Sequence, residues 1–208
     1  MWREIVELSR PKNVVLAAIT VPLGAHLALG GAWSTQALSL VALQTTSAIC
    51  FMAAGNTLND IADVSIDAKA KPNKPIPAER ISIEQATKVA YAFSLLSATF
   101  MAIGAYFSDE PIPIVLIWTL AAFLMYTYDA GIQTKKMGLV GNIAISLMVG
   151  AVIVFGAASV SKAGTELVLY ASVVAFFANF ARELIKDCED LVTDVGRPTL
   201  ALRVGLMH

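Results

Sequence analysis

Acidic side chains recur with one spacing in two separate parts of this 208-residue chain. Each set places four polar or acidic residues at successive steps of four, three and four positions. The first set is Asn56, Asp60, Asp63 and Asp67, and the second is Glu183, Asp187, Asp190 and Asp194. At about 100° per residue, such steps keep four helical side chains within a stripe roughly 60° wide. The spacing therefore predicts one acidic face on each of two helices.

Carboxylates this close together repel one another, so we expect cations to offset them. Carboxylate oxygens suit Mg²⁺, which keeps several waters and bridges to substrate phosphates. Two facing carboxylate helices would hold Mg²⁺ between them, and the metal would hold a diphosphate. A solvated helix end explains one such stretch equally well, but two copies with the same spacing favour the metal site. Basic side chains near the motifs can supply further phosphate contacts: Lys71, Lys74, Lys135, Lys136, Arg182 and Lys186.

The elements that must position these residues are long apolar segments. Six segments lack Asp, Glu, Lys and Arg and approach the roughly 20 helical residues that a bilayer requires. They are 13–33, 34–59, 89–107, 111–128, 139–161 and 167–181, of which the last must borrow flanking residues. Residues 1–12 are amphipathic and predict a short helix on the membrane surface, with Trp2, Ile5 and Leu8 at its apolar edge. We expect an all-α, polytopic transmembrane helix bundle that forms a single domain over residues 1–208.

The composition agrees with a helical membrane protein. Hydrophobic residues make up 57% of the chain, charged residues only 15%, and the mean hydropathy is +0.68. A soluble domain is usually about a quarter charged, so a soluble enzyme, a disordered chain and a disulfide-stapled domain are excluded. The formal charge of −1 gives no basic surface for nucleic acid.

Basic residues mark one side of the predicted bundle. The segments before the first span and after the second, fourth and sixth contain 14 of the 15 Lys and Arg residues, whereas the opposite side contains Lys162. This bias places both termini and both acidic motifs in the cytoplasm. Between the second and third spans, residues 67–80 contain Pro72, Pro75 and Pro77. We expect this loop to be stiff without being helical and to cover the site, with Lys71 or Lys74 reaching a diphosphate.

These motifs resemble those of the UbiA superfamily of intramembrane prenyltransferases. The family's N-D-x-x-D-x-x-x-D segment after the second span matches Asn59 to Asp67, and its second Asp-rich segment matches Asp187 to Asp194. Other landmarks also match, namely 74–77, 126–136 and Gly141-Asn142. Within the superfamily, residues 182–190 and Thr199-Leu200 look most like the archaeal digeranylgeranylglyceryl phosphate synthases.

The resemblance implies a function and a set of site residues. An isoprenyl (geranylgeranyl) group would pass from an allylic diphosphate donor to a lipid-soluble acceptor, geranylgeranylglyceryl phosphate, in ether-lipid biosynthesis, with Mg²⁺ as cofactor. The metal-binding candidates are Asn56, Asn59, Asp60, Asp63, Asp67, Asp187, Asp190 and Asp194, and the six aspartates among them are also the catalytic candidates. The diphosphate-binding candidates are Lys71, Lys74, Lys135, Arg182 and Lys186, and the candidates for binding the rest of the substrates are Arg10, Tyr126 and Asn142.

Three differences and two alternatives accompany this interpretation. Family members usually have nine helices, so we expect this chain to lack the C-terminal helices. Lys74 stands where many relatives have Arg, and 78–80 read Ala-Glu-Arg where relatives tend to have a small residue and Gly. A sibling enzyme with an aromatic, quinone-precursor acceptor is one alternative. A cation transporter is the other, although its acids would be expected nearer the membrane midplane.

Overall fold

The apolar segments form long helices that are joined by short polar turns. A computed structural model describes residues 1–129, 132–162 and 164–189. Its α-helices are α1 (Trp2–Ser9), α2 (Pro11–Leu29), α3 (Thr35–Ala62), α4 (Val64–Ala70), α5 (Ile83–Tyr106), α6 (Pro111–Asp129), α7 (Leu139–Ala158) and α8 (Glu166–Glu189), with a 3-10 helix at Thr134–Lys136. All of these except α1, α4 and the 3-10 helix are long and apolar enough to cross a membrane. The predicted all-helical architecture with six spans is confirmed.

Helices α5 and α8 extend by several residues beyond their uncharged stretches. Helix α5 begins at Ile83 because Ser82 and Gln85 form a reciprocal capping box, in which each side chain accepts a backbone N–H of the other. Helix α8 continues to Glu189 and includes the first part of the second acidic motif. Charged residues end a hydropathy signal, but they do not end a helix whose backbone hydrogen bonds continue.

The bundle is held together where two helices approach at their backbones. A Cβ atom at Gly24 of α2 would lie 2.0 Å from the carbonyl oxygen of Ile153, and one at Gly156 of α7 would lie 2.0 Å from that of Val21. Only glycine permits this distance, as is common where membrane helices pack closely. Val21 and Phe155 join the buried core at this crossing. Helix α7 is thereby fixed against α2 and carries residues 134–142 to the end of the bundle where α2 begins.

Helix α1 packs against the loop that follows α4. Leu8 is fully buried against Ile76, Ile81 and Ala86. Its predicted place at a lipid-facing edge is therefore wrong, because the loop offers a protein surface that encloses it. Trp2 remains 81% exposed.

An ion pair fixes the same contact from outside. Both terminal nitrogens of Arg80 donate to the carboxylate of Glu7 at 2.9 Å. These hydrogen bonds raise the pKa of the Arg80 guanidinium above its ordinary value. Helix α1 and the 71–82 loop are therefore joined by an apolar contact and an ion pair.

Candidate active site

The first acidic motif is divided between two helices. Asn56, Asn59 and Asp60 lie in the last two turns of α3, Asp63 caps that helix, and Asp67 lies in α4. The expectation of one continuous acidic stripe is wrong for this motif, because Asp63 leaves helical geometry at φ −99° and ψ 8°. The same break corrects the loop prediction, since residues 64–70 are helical and the loop begins at Lys71. The carboxylates consequently turn towards different cations.

Lys74 and Arg10 bind the carboxylates of Asp60 and Asp67. The ammonium of Lys74 lies 2.9 Å from Oδ1 of Asp60 and 2.6 Å from Oδ2 of Asp67. Arg10 forms a second ion pair with Oδ1 of Asp60 and donates to Oδ1 of Asn59 at 3.0 Å. Arg10 can reach this place because it stands between α1 and α2 in the left-handed region, at φ 51°. The conformation of the turn between α1 and α2 therefore brings Arg10 into contact with the first motif.

Lys135 holds the other part of the motif. Its ammonium lies 2.7 Å from Oδ1 of Asp63 and 3.1 Å from Oδ1 of Asp129, and its side chain is only 4% exposed. The same oxygen of Asp129 accepts a hydrogen bond from Nδ2 of Asn59 at 2.9 Å. Asp129 is the last residue of α6, and Lys135 lies in the 3-10 helix that follows. Three segments of the chain therefore meet at this lysine.

These contacts join eight side chains into one sequence of ion pairs and hydrogen bonds, which we call the polar chain. Its members in order are Asp63, Lys135, Asp129, Asn59, Arg10, Asp60, Lys74 and Asp67. It contains four carboxylates and three cations, so its formal charge is −1. The expectation that cations offset the clustered acids is met by Arg10, Lys74 and Lys135.

The second motif lies at the same end of the bundle. Nδ2 of Asn142, in the first turn of α7, donates to Oδ2 of Asp187 at 2.7 Å. A Cβ atom at Gly141 would lie 2.9 Å from Cα of Lys135, so the start of α7 touches the segment that carries this lysine. The two motifs are thus linked through residues 134–142. Asp190 and Asp194 lie outside the described residues.

The basic side chains of α8 are near the second motif. The carboxylate of Glu183 is buried and pairs with Arg182, and Lys186 lies 3.9 Å from it. The side chains of Arg182 and Lys186 are 67% and 55% exposed. Both remain accessible to a ligand at this end of the bundle.

Three other candidates occupy different surroundings. Asn56 is buried, donates to the carbonyl oxygen of Ser9 at 2.7 Å and accepts from Asn13 at 3.2 Å. The structure therefore uses both ends of its amide to hold the turn between α1 and α2. Lys71 and Tyr126 are exposed, on the loop after α4 and on α6 respectively. Their proposed roles stay predictions.

Comparison with known proteins identifies the family. The model of the UbiA prenyltransferase family matches residues 14–207. The chain belongs to this family. It is a multi-pass membrane protein and a prenyltransferase enzyme, and the cation-transporter alternative is set aside.

Among relatives of this UbiA protein, the digeranylgeranylglyceryl phosphate synthase of Pyrococcus abyssi is 33% identical over 98% of the chain and 69% of the relative. That of Pyrococcus furiosus is 34% identical over 96% of the chain and 68% of the relative. A solved digeranylgeranylglyceryl phosphate synthase structure superposes with a TM-score of 0.79 at 25% identity, covering 98% of the chain and 69% of that structure. A UbiA homologue from Archaeoglobus fulgidus, bound to GPP and Mg²⁺, superposes with a TM-score of 0.71 at 20% identity, covering 97% and 69%.

Sequence reasoning missed one member of the polar chain in this UbiA protein. Asp129 lies outside both motifs, 70 residues from Asn59, and nothing in the spacing relates the two. Its sequence signals were its place at the end of an apolar span, six residues before a lysine, and within the 126–136 segment that matches the family. That position is equally typical of a residue at the membrane interface.

Proposed function

We propose that the protein transfers a geranylgeranyl group from geranylgeranyl diphosphate to geranylgeranylglyceryl phosphate. This is the reaction that its resemblance to digeranylgeranylglyceryl phosphate synthases implies. The observation that supports this most is the polar chain, which gathers the first motif's carboxylates with Arg10, Lys74 and Lys135 at one end of the bundle. Asn142 brings Asp187 of the second motif towards the same place. Such a site combines oxygen ligands for a metal with donors for phosphate.

The carboxylates of the first motif suit Mg²⁺ by the chemistry of their donor atoms. Asp60, Asp63 and Asp67 each meet their described cations through one oxygen, which leaves a second oxygen on each carboxylate. The formal charge of the polar chain is negative, and the ammonium of Lys74 already bridges Asp60 and Asp67, as a metal ion would. Among the described residues, however, no three acidic, His or Cys side chains form a ready cluster. Mg²⁺ would be held by Asn59, Asp60, Asp63 and Asp67 together with Asp187, Asp190 and Asp194. When bound, it would neutralise the diphosphate leaving group.

The basic residues then act on the donor. Ammonium and guanidinium groups bind phosphate oxygens through charge-assisted hydrogen bonds, and Arg10, Lys74 and Lys135 are already held at the acidic motif by ion pairs. Arg182 and Lys186 of α8 would approach from the second motif. With its diphosphate held, the allylic donor loses this group as the C–O bond breaks, and the acceptor hydroxyl attacks C1 and gives its proton to the departing diphosphate.

Burial at the end of the bundle serves the same reaction. The side chains of Asp60, Asp67, Lys135 and Asp129 are all less than a tenth exposed, and charge interactions strengthen where water is excluded. Exclusion of water also protects an allylic cation from hydrolysis. Tyr126 and Asn142 remain candidates for contacts with the rest of the substrates.

We place the site at the cytoplasmic face and helix α1 on the membrane surface. The distribution of basic residues supports the orientation. The exposed apolar side chains of Met1, Trp2 and Val6, beside the charged Arg3, support an interfacial position for α1. The lipid bilayer is therefore a partner of the protein in addition to its two substrates.

The experiment that tests the proposed function is a product assay with a panel of acceptors. Purified protein in lipid receives geranylgeranyl diphosphate, Mg²⁺ and either geranylgeranylglyceryl phosphate or 4-hydroxybenzoate, and mass spectrometry identifies the product. We expect the ether-linked phospholipid precursor and no prenylated aromatic acid. Product from the aromatic acid alone would overturn the proposed acceptor, and no product from any acceptor would overturn the proposed function.

A further inference from the structure

We propose that Asp129 is a positioning residue that holds Lys135 and Asn59 for the reaction, although it belongs to neither acidic motif. It would act through these two side chains rather than by touching the substrate. This inference rests on the proposed transferase function, but part of its test does not require turnover.

The contacts of Asp129 are buried and converge on a single oxygen. Oδ1 accepts from Nδ2 of Asn59 at 2.9 Å and from Nζ of Lys135 at 3.1 Å. The exposed fractions of the Asp129 and Lys135 side chains are 7% and 4%. A buried carboxylate that receives two donors from separate segments constrains both of them.

Lys135 requires such a constraint. Its ammonium is a point charge on a flexible four-carbon stem, so each carboxylate that binds it, Asp63 at 2.7 Å and Asp129 at 3.1 Å, narrows the directions that it can take. The side chain of Asp63 is 25% exposed, whereas that of Asp129 is 7% exposed. The second, less exposed carboxylate therefore constrains the direction from which the ammonium faces the first motif.

Asn59 is oriented by the same carboxylate. Because its Nδ2 donates to Asp129, its Oδ1 faces the other way and accepts from Arg10 at 3.0 Å. Removal of the negative charge of Asp129 would loosen both contacts in the middle of the polar chain. The half that contains Asp63 and Lys135 would then be free to move relative to the half that contains Arg10 and Asp60.

The first test measures the chemical accessibility of Lys135 in the full chain. Asp129→Asn keeps the size of the side chain and removes its charge, and acetylation rates of individual lysines are followed by mass spectrometry. The exposed neighbour Lys136 is the internal reference. We expect the rate ratio of Lys135 to Lys136 to rise about tenfold, while the ratio of Lys74 to Lys136 stays constant. An unchanged Lys135 ratio would overturn the proposal, and an equal rise for Lys74 would show general loosening instead of positioning.

The second test is a double-mutant cycle in the transfer reaction. We expect Asp129→Asn to lower kcat/KM for the donor about tenfold with the acceptor KM unchanged, and to add nothing further in a Lys135→Met background. Asp109→Asn, at the exposed opposite end of the bundle, should resemble the wild type. An equal loss in both backgrounds would overturn the action through Lys135. If the wild type gives no product, the proposed function fails, and the acetylation result alone decides the positioning role.

Discussion

Lys74 offers a sharp test of how the polar chain supports catalysis. Replacing it by Met removes the ammonium between Asp60 and Asp67 but keeps most of the apolar stem. Asp60 retains its ion pair with Arg10. Asp67, whose side chain is only 8% exposed, loses its ion pair with Lys74 and is therefore affected more. A hydrogen bond to a charged group contributes about 1.5–3 kcal/mol, which corresponds to about 10- to 150-fold in rate. Because the Lys74 side chain is 22% exposed, water compensates in part, and we expect a loss of roughly 10- to 30-fold.

The assay measures kcat/KM for geranylgeranyl diphosphate at saturating acceptor and fixed Mg²⁺. Thermal unfolding of each variant, measured in the same lipid preparation, checks that it is folded. Lys74→Arg should recover much of the activity, because a guanidinium can reach both carboxylates. The matched control is Lys69→Met, which removes an exposed lysine at the end of α4 and should resemble the wild type. If Lys74→Met keeps kcat/KM within twofold of wild type, the assignment of Lys74 to the donor site is wrong.

Three further predictions concern the metal, the packing of α1 and the orientation. Asp63→Ala and Asp190→Ala should each abolish product formation at limiting Mg²⁺ while the protein stays folded, and near wild-type turnover in either would refute a site shared between the motifs. Leu8→Ala should lower the free energy of unfolding by about 2–4 kcal/mol, since the residue is fully buried; a shift in thermal unfolding of under a degree would contradict the packing of α1. In oriented membranes, single cysteines introduced as Ala70→Cys and Asp109→Cys in a cysteine-free background should be labelled from opposite sides, and labelling of both from one side would exclude the topology.

Hydropathy predicted the helices well because each span is a local property of about 20 residues. The uncharged stretch 34–59 corresponds to α3, which begins one residue later and ends three residues later, and 111–128 corresponds to α6 with one residue added. Helix ends were less predictable, since they depend on capping contacts such as that between Ser82 and Gln85. The same limit applies at Asp63, where periodic spacing suggested a continuous helix and the backbone instead begins a new one.

Most residues of the site were predicted from the sequence, whereas the contacts that they make in three dimensions could not be. Asp60 and Asp67 could be recognised from their spacing, but the choice of Lys74 over Lys71 as their partner could not. Both lysines lie on one short loop, and burial of Pro75 and Ile76 turns Lys74 inward. The contacts of Asp129 with Asn59 and of Asn142 with Asp187 span 70 and 45 residues. No local pattern encodes them, because they follow from how α3 packs with α6 and α7 packs with α8.

The polar chain is the proposed active site for geranylgeranyl transfer. This assignment is tested most directly by the rate at which Asp60→Asn forms digeranylgeranylglyceryl phosphate, relative to the wild type and to the control Asp109→Asn. Asp60 is the carboxylate that both Arg10 and Lys74 contact, and loss of its charge removes a proposed metal ligand. We predict Mg²⁺-dependent product from the wild type and the control, and a rate at least about a hundredfold lower for Asp60→Asn. A rate for Asp60→Asn within a fewfold of the wild type would contradict the assignment of the polar chain as the active site.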